Sequence, residues 1–263
     1  MQYASRMSTE CNDIRAELES WYKQASEGYL HVNLQETITE LLSTAFGYHI
    51  LQLGVCRGMP LFGDCSINHR VYCAEQGGEG IDLQARGDEL PLDSDSVDVV
   101  IVHHSLEFST NPHQTLREAQ RVLTPQGHLL VVGINPVSLL GVATRMRGLS
   151  SNSLWYSHQA LSERRLSDWL GLLGCEVQSR THLYGIPPTG KGRLREWLIR
   201  ADQWLRRRNL PLGGLYVLHA VKQVAAIHRP QRVLRRRERL IGLATPAATP
   251  RAGAAAREGD VAA

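Results

Sequence analysis

The sequence predicts an α/β fold, a mostly parallel sheet with helices on both faces, and three observations within one stretch predict it. Val97-Asp98-Val99-Val100-Ile101-Val102 is a β-branched run of the kind that is buried on both faces of a parallel sheet. Asn111-Pro112 then opens a helix in the favoured order of N-cap and first-turn proline, with Leu116, Ala119, Val122 and Leu123 as its apolar stripe. Thr124-Pro125-Gln126-Gly127 stops that helix, and Leu129-Leu130-Val131-Val132 is a second buried run. Strand, helix and strand in this order make a βαβ crossover, right-handed by default.

The other elements follow in chain order. Residues 9–25 place Cys11, Ile14, Leu18, Trp21, Tyr22 and Ala25 at helical intervals, and Asn33 followed by Glu36 predicts the cap of a second helix with Leu34, Ile38, Leu41, Leu42 and Ala45 as its stripe. Residues 48–53 read as the first strand, which runs into the turn Gly54-Val55-Cys56-Arg57-Gly58. Residues 69–75 and 81–86 read as the second and third strands. Only Gln76-Gly77-Gly78-Glu79-Gly80 lies between them, whereas a parallel crossover takes about a dozen residues, so the expectation is an antiparallel hairpin.

Asn135-Pro136 repeats the cap-then-proline order and predicts a helix through residue 142. A helix over 157–173 carries Leu161, Leu166, Trp169, Leu170 and Leu173 on one face, and residues 175–184 form a strand. Residues 191–208 are amphipathic, with Leu194, Trp197, Leu198, Ala201, Trp204 and Leu205 expected inward and the arginines outward. Residues 215–222 give a closing strand. The chain therefore divides into a helical cap over 1–47, an α/β domain over 48–223, and a basic, then Ala- and Pro-rich tail over 224–263 that lacks the apolar content to fold alone.

Charge is segregated along the 263 residues: 1–190 carry 13 Lys and Arg against 21 Asp and Glu, while 191–239 carry 14 against 3. Either this basic segment is a solvated face leading into a tail, or it serves an anionic partner such as RNA. The first 30 residues hold no apolar leader core and no stretch approaches transmembrane length, so the expectation is a cytoplasmic protein without a membrane partner. The five cysteines form no C-x-x-C pair and the 11 histidines no ligand spacing, which indicates neither disulfide nor metal.

The stretch GDELPLDSDSVDVVIVHHSLEFSTNPHQTLREAQRVLTPQGHLLVVG resembles the second half of the class I S-adenosylmethionine-dependent methyltransferases, the type 11 group, in a bacterial branch with a degenerate glycine motif. The resemblance implies a Rossmann-like sheet with helices on both faces and an antiparallel strand pair at its C-terminal end. It implies S-adenosylmethionine as cofactor and methyl transfer to an acceptor that the sequence does not name; a small molecule is the first expectation, and the basic segment with Trp197 and Trp204 keeps RNA as an alternative. Gln52 stands where the family has an acid and Cys56 where it has its middle glycine, while Gly54 and Gly58 remain. Arg57 would pair with the cofactor carboxylate or stay solvated.

By position, Glu75 matches the ribose-binding acid, although a hairpin would displace it. Asp88 would accept the adenine amino hydrogens, with Glu89 beside it. His103 and His104 lie at the C-terminal end of a parallel strand, where ligands bind in such sheets. Alternation turns only one of them to the crevice. His104 is the expected cofactor neighbour and His103 the candidate general base, beside the plainer reading of two histidines packed in polar surroundings. Glu107 and Glu118 are candidate catalytic acids, and Glu118, three residues before Arg121, reads more simply as a helix-surface ion pair. A fold of this kind that has lost its cofactor, a binding protein, is the alternative that Gln52 and Cys56 keep open.

Overall fold

A computed structural model of the chain describes residues 18, 20, 22, 29–55, 59–63, 65–147, 159–185, 192–208 and 213–223. The chain separates into residues 1–225 and 226–263, and everything described lies in the first unit. The expected tail, the turn residues Cys56, Arg57 and Gly58, and most of the first expected helix lie outside the described residues.

The described elements, in order, are α1 (Tyr29–Leu42), β1 (His49–Gly54), β2 (His69–Ala74), β3 (Leu83–Gln84), β4 (Val97–His103), α2 (Pro112–Val122), β5 (Leu123–Ile134), α3 (Leu139–Arg147), α4 (Glu163–Leu172), β6 (Cys175–Leu183), α5 (Arg193–Arg207) and β7 (Leu215–Lys222). The strands form one seven-stranded sheet in the order β3-β2-β1-β4-β5-β7-β6. The first five run parallel, and β7 pairs antiparallel with both β5 and β6. This is the expected Rossmann-like α/β fold with an antiparallel closing pair.

Alternation along the central strands divides the core into two layers. Ile50, Val99, Ile101, Leu130 and Val132 face Leu30, Leu34, Ile38 and Leu42 of α1 together with Leu18 and Tyr22. Leu51, Leu53, Val100, Val102, Leu129 and Val131 face Leu116, Ala119 and Val122 of α2 and Leu166 and Leu170 of α4. From Val99 to Val102 the run is continuously apolar because both of its faces are covered.

Several sequence expectations are corrected. β2 and β3 pair in parallel, Cys73 with Leu83 and Ala74 with Gln84, not as a hairpin. The dozen-residue rule assumes a helix spanning full-length strands, whereas β3 is two residues long and a rise of about 3.3 Å per residue leaves little distance to return. The loop meets the ladder directly: Asp82 donates its N–H to the Tyr72 carbonyl (3.0 Å), and its side chain accepts the Tyr72 N–H (2.8 Å).

Asn33 is inside α1 and not its cap; its amide donates to the Tyr29 carbonyl one turn back. Asn135 does not open α3 either. Its Oδ1 accepts from Val137 N and its Nδ2 donates to the Gly213 carbonyl, while Ser138 Oγ accepts from Gly141 N, so the serine is the cap and the asparagine ties the end of β5 to the start of β7. Asn111 does cap α2, accepting from Gln114 N at 3.3 Å with Pro112 in the first turn. At the other end of α2, Lys222 Nζ donates to the Gln120 and Leu123 carbonyls, a cation where the helix dipole favours one. On α5 the two expected inward tryptophans are out in solvent, Trp197 61% and Trp204 54% exposed.

Candidate functional site

The strand order reverses between β1 and β4, and a cavity of about 210 Å³ opens there, at the C-terminal ends of the parallel strands. Gly54, Ala74, Ala85 and Gly87 keep its walls low, Glu75 and Asp88 supply carboxylates, and Ser105, Phe108 and Thr115 close the far side. Pockets that enclose a whole small ligand run to roughly 300–1,000 Å³, so this cavity has room for only one part of a larger molecule. Three of the expected cofactor residues meet here: Gly54 at the end of β1, Glu75 at the end of β2 and Asp88 in the turn after β3. The parallel pairing of β2 and β3 is what leaves Glu75 at a strand terminus facing the cavity.

The other expected residues are placed differently. Gln52 is fully buried, and its amide is spent on the loop after β1, donating to the Met59 carbonyl (2.9 Å) and accepting from Leu61 N (2.7 Å). It shapes that loop from beneath and does not line the cavity. Glu89 is exposed in the turn and donates its N–H to the Arg86 carbonyl. Gly58 lies outside the described residues. Asp88 accepts from the Arg86 guanidinium at 2.7 Å, and the carboxylate beside it raises the arginine pKa further.

Glu118 and Arg121 do more than pair on the helix surface. Glu118 accepts the Leu90 N–H, and Arg121 donates to the Leu90 and Leu92 carbonyls, so α2 holds the turn that presents Asp88. Hydrogen bonding to Arg121 lowers the Glu118 pKa, and the reciprocal bond raises that of Arg121.

His103 and His104 do not turn to opposite faces. His104 has a left-handed φ of 56°, which breaks the alternation at the strand end, and both rings converge on Tyr22. Tyr22 Oη lies 2.9 Å from His103 Nε2 and 2.6 Å from His104 Nε2, and His104 Nδ1 lies 2.7 Å from Glu107 Oε2. All four side chains are buried.

The proton positions follow from counting donors. Glu107 accepts the Ile134 N–H on Oε1, and a carboxylate oxygen only accepts, so His104 Nδ1–H donates to Oε2. If the ring carries only that proton, its Nε2 is a lone pair and takes the single Tyr22 hydroxyl proton. The Tyr22 oxygen then accepts from His103 Nε2–H. His103 Nδ1 is left as a buried lone pair without a donor. Burial, and then the neighbouring His104 and His31, push the His103 pKa well below 6.5, which keeps it neutral.

Tyr22 was the member of this network that the sequence did not single out. It sat in an ordinary apolar helical stripe, and only its contact with residues 81 and 82 positions away in the chain gives it a role.

Residues 64–131 match the methyltransferase domain family. The match runs from before β2 into β5 and covers about a quarter of the chain. In the solved S-adenosylmethionine-dependent methyltransferase of Thermotoga maritima, described as a possible histamine N-methyltransferase, 99% of the chain superposes on 82% of this one with a TM-score of 0.57 at 19% identity. The Haloferax volcanii protein found in complex with the Trm112 methyltransferase activator gives 0.55 at 17% identity over 82% of this chain and all of its own. The [4+2]-cyclase SpnF gives 0.54 at 17% over 76% of this chain and 84% of its own, so the fold is shared by proteins of different chemistry. Among curated proteins, Escherichia coli YafS, itself uncharacterised, is 32% identical over 154 residues, covering 59% of this chain and 63% of that protein. The match thus spans less than two thirds of the relative's length.

Proposed function

We propose that this chain is an S-adenosylmethionine-dependent methyltransferase whose cofactor lies along the cavity between Gly54, Glu75 and Asp88. The observation that carries the reading is the pair of carboxylates at the ends of β2 and β3, beside small residues, at the point where strand order reverses. The donor set fits the group. Glu75 would accept from ribose hydroxyls and Asp88 from an adenine amino group, and Gly54 would let the chain approach closely without a side chain. The amino-acid portion would extend toward the loop that Gln52 supports. When bound, the cofactor supplies an electrophilic methyl group, and the contribution of the protein is to hold acceptor and methyl in line. His103 is sealed beneath Tyr22, so it serves as a base only from a state in which the Tyr22 contact is given up.

Isothermal titration with S-adenosylmethionine and with its demethylated product tests this. The wild type should bind both, and Asp88→Ala and Glu75→Ala should each cost about 1–3 kcal/mol, as for an unmet polar contact. No binding at millimolar ligand refutes the reading. The uncharged Gln52, with its amide committed to the loop, favours a second reading, a binding protein on this fold. Binding without turnover across a panel of acceptors would support it.

A further inference from the structure

The sheet register brings Ile134 at the end of β5, Leu183 at the end of β6 and Leu215 at the start of β7 side by side. The same edge carries Gly54 and His103, which are in register with each other, and His103 is in register with Val132 of β5. α3 follows β5 from this edge, and α5 joins the ends of β6 and β7 that lie on it.

α5 is fixed to the body by polar contacts on one side. Tyr29 donates to the buried Asp202 at 3.2 Å, Arg206 donates to Asn33 Oδ1 at 3.3 Å, and Leu205 packs near Gly185. Its other side alternates aromatic and cationic groups at helical spacing: Arg193, Trp197, Arg200, Trp204 and Arg207 are all exposed. The acid among them, Glu196, is 3.5 Å from Arg200. On α3 and just before it, Val137 (82%), Val142 (48%) and Met146 (66%) are exposed beside the exposed Arg145, and residues 135–147 contain no acid.

We propose that this edge docks on an anionic lipid surface, so that the acceptor reaches the site from the membrane. Cations and tryptophans together on a helix suit the headgroup boundary, where the ring is half-buried and the charge meets lipid phosphate. A nucleic acid would use the tryptophans for stacking and the arginines for phosphate, but it gives Val137, Val142 and Met146 nothing to bury against. The aliphatic groups decide for lipid. The docking is peripheral, since no described helix is long and apolar enough to cross a membrane. The identity of the docked surface stands apart from the methyltransferase reading; only the statement that a lipid-borne acceptor is methylated rests on it.

The test is co-sedimentation of the full chain with phosphatidylcholine vesicles containing or lacking phosphatidylglycerol, with no cofactor present. Binding should require the anionic lipid, and the double variant Trp197→Ala/Trp204→Ala should lower the partition coefficient at least tenfold while leaving thermal unfolding unchanged. Val142→Ser/Met146→Ser, on the other helix, should weaken binding too and guards against an effect local to α5. Titration with S-adenosylmethionine in parallel separates failure of docking from failure of the enzyme reading. Equal binding to both vesicles, no binding to either, or vesicle-independent retention of a uridine oligonucleotide that the tryptophan variant abolishes would each overturn the proposal, the last in favour of RNA.

Discussion

Replacing Glu107 by Gln should invert the proton order of the buried histidine network while leaving the fold in place. The side chain is 1% exposed and bonded on both oxygens, to Ile134 N and to His104 Nδ1. Ile134 N–H can only donate, so the glutamine oxygen must stay there and the amide nitrogen must face His104. His104 then has to present a lone pair at Nδ1 and carry its proton on Nε2. That proton goes to the Tyr22 oxygen, the Tyr22 hydroxyl turns to His103 Nε2, and the His103 proton moves to Nδ1. A change at Glu107 thereby converts the far end of the chain from acceptor to donor.

The energetic cost should be modest. Two hydrogen bonds to a charge, about 1.5–3 kcal/mol each, become neutral bonds of about 0.5–1.5 kcal/mol. Against that, a buried carboxylate whose desolvation penalty is several kcal/mol is removed. The net change in unfolding free energy should fall within about 2 kcal/mol, whereas Glu107→Ala strands two donors at about 1–3 kcal/mol each. Urea denaturation measures the stabilities, and long-range ¹H–¹⁵N correlation of the imidazole rings at pH 8 reads the tautomers. Unchanged tautomers in Glu107→Gln, or a wild type in which His103 already carries its proton on Nδ1, would refute the reasoning.

Tyr22→Phe should destabilise by about 1–3 kcal/mol for each of the two imidazole nitrogens it strands, seen as a lower urea midpoint with unchanged slope. Gly54→Ala should cost about 1–3 kcal/mol, because the added Cβ overlaps the Tyr72 hydroxyl; Tyr72→Phe in the same chain should recover part of the melting temperature but not all, since the ring carbon behind it is also close. Stability should rise with pH up to about 6.5. His103 is held well below that value and His219 is lowered to about 4, mainly by burial, so between those folded values and the unfolded one the unfolded chain binds more protons. Each such group contributes a slope of at most about 1.4 kcal/mol per pH unit, and denaturation from pH 4.5 to 8 should show His219→Gln flattening it.

The sequence made the fold legible where independent local signals agree. Between Gly87 and Gly133 the β-branched run, the Asn111 cap, the proline and the stop all point to one βαβ unit, and β7 runs over the expected 215–222. Legibility failed where a rule was applied outside its geometry. The crossover-length rule assumes strands of ordinary length, and β3 has two residues, so the hairpin that the rule predicts would move Glu75 from the terminus it occupies. Asn33 and Asn135 read as caps in the sequence but are not, because an asparagine has several ways to satisfy backbone and the sequence shows the residue without showing which way it uses. Tyr22 was invisible as a functional neighbour because pairing across 81 residues leaves no local pattern.

α5 shows the limit of periodicity more sharply. Leu194, Trp197, Leu198, Ala201, Trp204 and Leu205 span a wide arc, wide enough that a helix can seat on either margin of it. The margin that won is set by the partner: α1 offers Tyr29 and Asn33 toward α5, so the side bearing Asp202 and Arg206 docks there, with Leu198, Ala201 and Leu205 half-buried along the seam. Burial of Asp202 is tolerable because the Tyr29 hydroxyl meets it, and the cost appears on the tyrosine, whose pKa is raised to about 12 by burial and by that carboxylate. The tryptophans, on the other margin, are carried outward with Arg193, Arg200 and Arg207. If polar seating is what turns them out, then Tyr29→Phe/Asp202→Leu should let the helix roll its aromatic margin inward. Quenching of tryptophan fluorescence by acrylamide should then fall relative to the wild type, and anionic vesicles should hold the variant less well. Unchanged quenching would mean that the outward margin is fixed by something other than the Tyr29–Asp202 contact.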